Sequence, residues 1–464
     1  MKQPNILYIL TDQLRASSLP VYGESQIETP NIDRLAAEGT TFTNALSTCP
    51  VCTPYRSMLL TGRHPQSTGH VINFLRTRHD EISIADAFSS AGYRTGYVGK
   101  WHLHTGSFPQ LSGPDYVPEG RDRLGFQYWR GYNFHCDYFG GTVNLEDWRF
   151  ERWNGYETDA LNRYAMEFMD QSGDDPFCLF VSPHQPHSTP GKCVPDHYLE
   201  RVPADLKLPA NVTEERREES LEVYRLYLAM TLALDDMVGE LLDDLDRRGL
   251  TDNTIVVFTS DHGTQMGAHG WPPFQKKVPY EESVCVPLIA RWPGKLPAGQ
   301  TCDALTAPVD IFPTLGALCD VPVPSTVEGV NLADAWQGQP DAAEQDAVLT
   351  MNFSATFDYL QDGEEWRGVR TKDAAYAHWL NGKTELYDLT ADPLEQVNLA
   401  GTPEAAELQK DMQARLDALM SERGDSLVPC TSYANWIDEQ RRIVHNVGGP
   451  LPDPEKEPDW SLLK

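Results

Sequence analysis

Asn5-Ile6-Leu7-Tyr8-Ile9-Leu10-Thr11-Asp12-Gln13 opens the chain with an unbroken apolar run that ends on an acid. A strand covered on both faces has no reason to alternate polar and apolar residues, so this run reads as a central parallel strand. The same texture recurs at Arg94 to Gly99, Phe177 to Ser182, Thr254 to Thr259 and Val286 to Ala290. Helical patterns lie between these runs. Pro30 to Ala37 follows Thr29, which suits an N-cap with Pro at the first helical position. Pro54 to Leu60 and Ile84 to Ser90 read as short helices, the second closed by Gly92. Arg216 to Arg247 keeps helical spacing through Leu221, Tyr224, Leu228, Leu232, Val238, Leu242 and Leu245, as one helix or two, before Gly249. This alternation predicts an α/β fold, a large mostly parallel sheet sandwiched by helices.

After about residue 345 the texture changes. Trp366 to Thr371 and Glu385 to Leu389 are short, strand-like and separated by turns, and a helix follows from about Glu404 to Arg423. We divide the chain at 1–345 and 346–464, the second part ending in a tail rich in Pro, Asp and Glu. The 464 residues, 40% hydrophobic and 23% charged, suffice for one large domain and a smaller one. No apolar run approaches the roughly 20 residues that span a bilayer. The first apolar run is too short for a signal-peptide core and has no small-residue cleavage site after it. The chain as given reads as cytoplasmic, and as periplasmic or secreted if a leader has been removed.

The net charge of −30 disfavours nucleic acid, whose phosphates need a basic surface. An anionic substrate would need its cations gathered locally. The nine cysteines form no paired framework. Cys49 and Cys52 make a C-x-x-C, but no second such pair and no H-x-x-x-H supports zinc. The remaining seven read as packing residues.

Ligands of open α/β sheets gather beyond the carboxyl ends of strands. Asp12 sits at one such end, and Ser260-Asp261-His262-Gly263 follows another. Each Asp alone is as readily a turn or cap residue, whereas two after buried strands suggest a shared oxygen-rich metal site. Cys52-Thr53-Pro54-Tyr55-Arg56 is followed at once by Ser57-Met58-Leu59-Leu60-Thr61-Gly62-Arg63. Arg56 stands four residues after Cys52, on the same side of a helix. In Gly99-Lys100-Trp101-His102, Lys100 and His102 are two apart, so an extended chain would aim both cations at one anion. Ser182-Pro183-His184-Gln185-Pro186-His187 follows a further strand, and Lys276 stands four before Tyr280-Glu281-Glu282-Ser283.

C-x-P-x-R with T-G-R five residues on, together with these four further motifs, resembles the type I, formylglycine-dependent sulfatases of the alkaline-phosphatase-like superfamily. The resemblance spans about residues 4 to 400. It implies that Cys52 is converted to formylglycine, whose hydrate attacks sulfate esters. It implies one divalent metal held by Asp12, Gln13, Asp261, His262 and residue 52, calcium first, with magnesium and manganese as alternatives. Gln13 replaces the commoner second Asp, a variant shared by some sulfatases and by phosphonate monoester hydrolases. By the same resemblance Arg56 favours the deprotonated diol, Lys100 and Lys276 contact sulfate, His102 assists the diol and His187 is the general acid. His104 and His184 line the pocket or pack. The part after residue 345 then corresponds to a small antiparallel sheet packed with a terminal helix. The implied partners are a formylglycine-generating or anaerobic sulfatase-maturating enzyme and a small-molecule or oligosaccharide sulfate ester. Long loops rich in aromatic and charged residues, Gly106 to Gly125 and Gly131 to Arg152, favour a sulfated carbohydrate over choline sulfate or an aryl sulfate. His70, Arg76, Trp101, Tyr132, His135 and Trp271 are candidate readers of a sugar, none singled out. A phosphonate or phosphate diester hydrolase on the same scaffold is the runner-up.

Overall fold

Ile6, Tyr8 and Leu10 enter one hydrophobic core and Leu7 and Ile9 another, so the first strand is buried on both faces as its composition requires. The computed structural model describes residues 3–105, 116–187, 191–353 and 363–463. Residues 106–115 of the expected substrate loop lie outside them. Ten strands form the main sheet. They are β1 (Asn5–Thr11), β2 (Thr40–Phe42), β3 (Arg94–Lys100), β4 (Tyr128–Tyr132), β5 (Thr142–Asn144), β6 (Phe150–Arg152), β7 (Phe177–Ser182), β8 (Thr254–Ser260), β9 (Leu288–Arg291) and β10 (Gln300–Cys302). Their order is β10-β2-β9-β8-β1-β7-β3-β4-β5-β6. The central run from β8 to β4 is parallel.

The strand expected at Val286 begins two residues later and runs antiparallel to β8. Val286 N–H donates to Ala45 O at 3.0 Å, outside the ladder, and Pro287 has no N–H to offer. One layer of helices contains Pro30–Glu38, Glu157–Ser172 and Arg217–Arg248, the last a single helix of 32 residues. The other contains Cys52–Thr61, Ile84–Ser90 and Pro308–Cys319. Thr29 holds the N-cap position but makes no cap bond, its hydroxyl going to Asp33 Oδ1 at 3.3 Å. Asp235 of the long helix caps instead, accepting from the Asn31 and Ile32 N–H groups at 3.0 and 2.8 Å. A buried carboxylate there also suits the positive end of the helix dipole.

A second, antiparallel sheet runs in the order β11 (Val348–Asn352), β12 (Trp366–Arg370), β13 (Ala374–Trp379), β14 (Thr384–Asp388). The helix Ala406–Glu422 packs on it through Met412 and Leu416. This sheet touches the Lys276 loop, where Trp366 Nε1 donates to Lys277 O at 2.8 Å. The tail returns to the large sheet's side, with His79 N–H on Pro454 O at 2.9 Å. The nine cysteines are free. Among the described residues no helix is long and apolar enough to cross a membrane.

Candidate active site

The parallel register sets four strand ends side by side. Thr11 pairs with Ser260 and Gly99 with Ser182. The turns that follow are stitched together, Asp12 N–H to Gln185 O and Asp261 N–H to Thr11 O, each at 3.1 Å. Cys52 faces this edge from the first position of its helix.

Asp12, Cys52, Asp261 and His262 offer ligand atoms that all lie within 4.8 Å of one another, and all four side chains are buried. His262 Nδ1 lies 2.9 Å from Gly263 O, which assigns its proton to Nδ1 and leaves the Nε2 lone pair free. That Nε2 is 3.2 Å from Cys52 Sγ and 3.4 Å from Asp261 Oδ1. Asp12 Oδ1 is buried with no hydrogen-bond partner among the described residues. A buried carboxylate oxygen left unpaired is costly, and a cation among these four atoms would satisfy it. These residues therefore fit a divalent metal. Gln13 stands beside the cage at φ +70°, its N–H on Asp261 Oδ1 at 3.1 Å and its Nε2 on Thr264 Oγ1 at 3.0 Å.

Three cations surround the acids. Arg56 Nε and Nη2 donate to Asp261 Oδ2 at 3.1 and 2.9 Å, and Nη2 reaches Asp12 Oδ2 at 3.4 Å. Its Nη1 holds Lys100 O at 2.8 Å and Ser182 Oγ at 2.9 Å. The guanidinium is thus aimed at the two carboxylates and acts on residue 52 through them. Lys100 Nζ donates to Asp12 Oδ2 and lies 3.9 Å from Cys52 Sγ. Lys276 Nζ lies 3.3 Å from the same sulfur. Burial and Asp12 push the Cys52 thiol up, but Lys100, Lys276 and His262 outweigh them and hold it below its usual value. Burial likewise pushes Asp12 up, and the Lys100 and Lys276 charges hold it well below the carboxylate range.

Three histidines complete the wall. The extended chain stops at Lys100, and His102 adopts φ +57°, so a shared strand face is not what orients it. Its ring packs between Phe74 and Phe134, with centroids 4.9 and 4.8 Å away, and neither ring nitrogen has a hydrogen-bond partner among the described residues. The His184 and His187 rings lie 4.7 Å apart, tilted by 32°, with His184 Nε2 and His187 Nδ1 also unpartnered among the described residues. Burial first, then Lys100 for His102 and His184 and Lys276 for His187, drives all three well below the usual imidazole value. The expectation that an extended chain aims Lys100 and His102 at one anion is corrected by the backbone, since His102 leaves the strand; burial and Lys100 also oppose a charge on its ring.

Glu157, the first residue of its helix, carries no sequence signal beyond that of an ordinary first-turn acid. It is buried, accepts from the Tyr132 hydroxyl and, at 3.1 Å, from Gln185 Nε2, and so fixes the turn that carries His184 and His187. Several candidate sugar readers are structural. His70 is fully buried between Ser57 Oγ at 3.0 Å and Thr77 Oγ1 at 3.2 Å. Trp101 belongs to the aromatic core with Tyr97 and Trp129, and His135 stacks on Tyr132. Arg76 is bound to Asp122 at 2.6 Å, and His104 Nε2 lies 3.7 Å from that acid.

The family model described as Sulfatase matches residues 4–321. The chain belongs to the sulfatase family. It is a sulfuric ester hydrolase on that ground. A second family model, described as N-sulphoglucosamine sulphohydrolase, C-terminal, matches residues 267–422. An ulvan-active sulfatase from Formosa agariphila is 38% identical to this sulfatase over 435 residues, covering 91% of this chain and 82% of that one. An N-acetylglucosamine-6-O-sulfatase from Bacteroides thetaiotaomicron is 28% identical, covering 96% and 91% of the two chains. A solved structure in complex with its substrate, D-glucosamine-2-N,6-O-disulfate, superimposes with a TM-score of 0.79 at 27% identity, over 92% of this chain and 99% of that one.

Proposed function

We propose that this sulfatase removes an O-sulfate from a sulfated carbohydrate, with residue 52 matured from Cys to formylglycine and one calcium ion held by Asp12, Gln13, Asp261, His262 and residue 52. The observation that carries the proposal is the cage of Asp12, Asp261 and His262 around Cys52, with the Lys100 and Lys276 ammonium groups 3.9 and 3.3 Å from its sulfur. The carbohydrate is supported by the printed substrates of the similar proteins. A formylglycine-generating or anaerobic sulfatase-maturating enzyme would supply the modification. Residues 1–345 would carry the chemistry and 346–464 the subdomain that backs the Lys276 loop.

The hydrated aldehyde would supply two hydroxyls on one carbon, one to attack sulfur and one whose deprotonation re-forms the aldehyde and expels the sulfate carried by the first. The metal, when bound, would supply a Lewis acid that favours the deprotonated oxygen and polarises the sulfate. Asp12 and Asp261 hold the cage, and Arg56 holds the two carboxylates in place. Lys100 and Lys276 bind sulfate oxygens and favour an anionic oxygen at residue 52, as they favour the thiolate there. His187 is the proton donor to the departing alcohol. Its neutrality follows from burial and Lys276, and an arriving sulfate offsets that lysine, returning the imidazole toward its protonated form. His102 accepts the proton of the second hydroxyl. Gln13 removes one negative charge from the cage relative to a second Asp, and this keeps a phosphonate or phosphate diester in view.

The test is turnover on a panel of sulfated mono- and oligosaccharides, with an aryl sulfate and an aryl phosphonate on the same preparation. We expect a sulfated sugar to be the best substrate. Dominant turnover of the phosphonate would overturn the proposal.

A further inference from the structure

We propose a second divalent-cation site, formed by His269, Glu282, Glu395 and Asn211, that fastens the Lys276 loop to the C-terminal subdomain. His269, Glu282 and Glu395 each place one ligand atom within 4.8 Å of the others. A cation bonded at about 2.0–2.6 Å allows separations up to that size between ligands on opposite sides. His269 Nε2 lies 3.3 Å from Glu282 Oε2. Glu395 is 2% exposed, takes the Glu281 N–H on Oε2 at 2.7 Å, and leaves Oε1 buried with no partner among the described residues.

Asn211 is an independent pointer to a ligand. Its Nδ2 donates to Glu282 Oε1 and, at 3.3 Å, to Leu394 O, and lies 3.4 Å from His269 Nε2, while its Oδ1 is buried without a partner among the described residues. The oxygen and nitrogen of such an amide are assigned from its neighbours. Turned over, Asn211 would give up its bonds to Glu282 Oε1 and Leu394 O and present Oδ1 beside Glu282 and His269, an exchange that only a cation makes favourable. Arg370 is bound to Glu281 at 2.9 Å and also acts on Glu395, and Arg15 acts on Glu282, but no cationic side chain hydrogen-bonds Glu395 among the described residues. The recess lined by Arg15, Glu24, Glu282 and Leu394 brings solvent to the Glu282 side of the cluster.

Two carboxylates, one imidazole and one amide oxygen suit a first-row divalent cation such as manganese. The ligands come from three segments. Asn211 precedes the long helix, His269 and Glu282 bracket Lys276, and Glu395 follows β14. Occupancy would fix the loop that aims Lys276 at residue 52.

The experiment strips the full-length protein with EDTA and titrates it with MnCl₂ at physiological ionic strength, reading free Mn²⁺ by its EPR signal. The readout is binding, so it stands or falls separately from the proposed substrate. We expect two equivalents in the wild type, one in Glu395→Gln, one in His269→Gln and one in Asp12→Asn. Gln keeps the shape of the Glu395 side chain and an oxygen to accept the Glu281 N–H, so this variant should fold. As a second measurement, Mn²⁺ should raise the melting midpoint of Asp12→Asn and leave that of Asp12→Asn/Glu395→Gln unmoved. Wild-type stoichiometry in both Glu395→Gln and His269→Gln, or no bound Mn²⁺ in Asp12→Asn, would overturn the site.

Discussion

Replacing Lys276 with Met removes one charge and keeps the length of the side chain. Lys276 Nζ is 3.3 Å from Cys52 Sγ, so an oxygen on residue 52 and the sulfate it attacks would both lie about 4 Å from that charge. At an effective dielectric constant of about 20, a unit charge pair at about 4 Å is worth about 4 kcal/mol. Lys276 is only half-buried, which reduces this to about 2–4 kcal/mol, or about 30- to 1,000-fold in rate. The loss should fall on kcat/KM for an aryl sulfate, measured on protein of matched formylglycine and metal content. The melting midpoint should barely move, because Lys276 is not part of a hydrophobic core. A variant within threefold of wild type would refute the role given to this lysine.

Arg56→Met leaves Asp12, Asp261, Ser182 and the Lys100 carbonyl without their shared donor, and breaking such a buried pair should cost about 3–5 kcal/mol in urea unfolding; a loss below about 1 kcal/mol would contradict the bracing role. Burial raises Glu157 to about 7 from a model-compound value of 4.5. A carboxyl raised on folding contributes its stability in full below the unfolded value and loses it as pH rises through about 7, so the stability difference between wild type and Glu157→Gln should shift by about 3 kcal/mol between about pH 4.5 and about pH 8. A flat difference would show that the turn around His184 and His187 does not hold Glu157 as described. EDTA should abolish turnover and calcium should restore it, checked by activity after dialysis and add-back.

The buried strands were legible because β1, β3, β7 and β8 are apolar on both faces, and a run of that kind fits few alternatives. Asp12 and Asp261 were legible for the same reason, as acids placed just past such strands. Val286 looked like strand from composition alone, and its register was decided by a proline and by Ala45, distant in sequence. The cap on Pro30–Glu38 was hidden because Asp235 lies some two hundred residues away, so Thr29 appeared sufficient. His102 leaves the extended strand at φ +57°, and the opposition of its surroundings to a charge was not legible from spacing. Its protonation depends on the three-dimensional closeness of Lys100 and on burial, which spacing along a strand does not report. Glu157, Asn211 and Glu395 were invisible because each acts on a partner from another segment.

The central claim is that residue 52, once oxidised, is the nucleophile. The most direct measurement is the mass of the tryptic peptide Leu35–Arg56 from the native host, paired with turnover across preparations of different maturation. Conversion of Cys to formylglycine lowers that mass by about 18 Da. The account predicts that turnover rises in proportion to the converted fraction and vanishes in Cys52→Ala. Undiminished turnover in an unconverted preparation, or in Cys52→Ala, would contradict it.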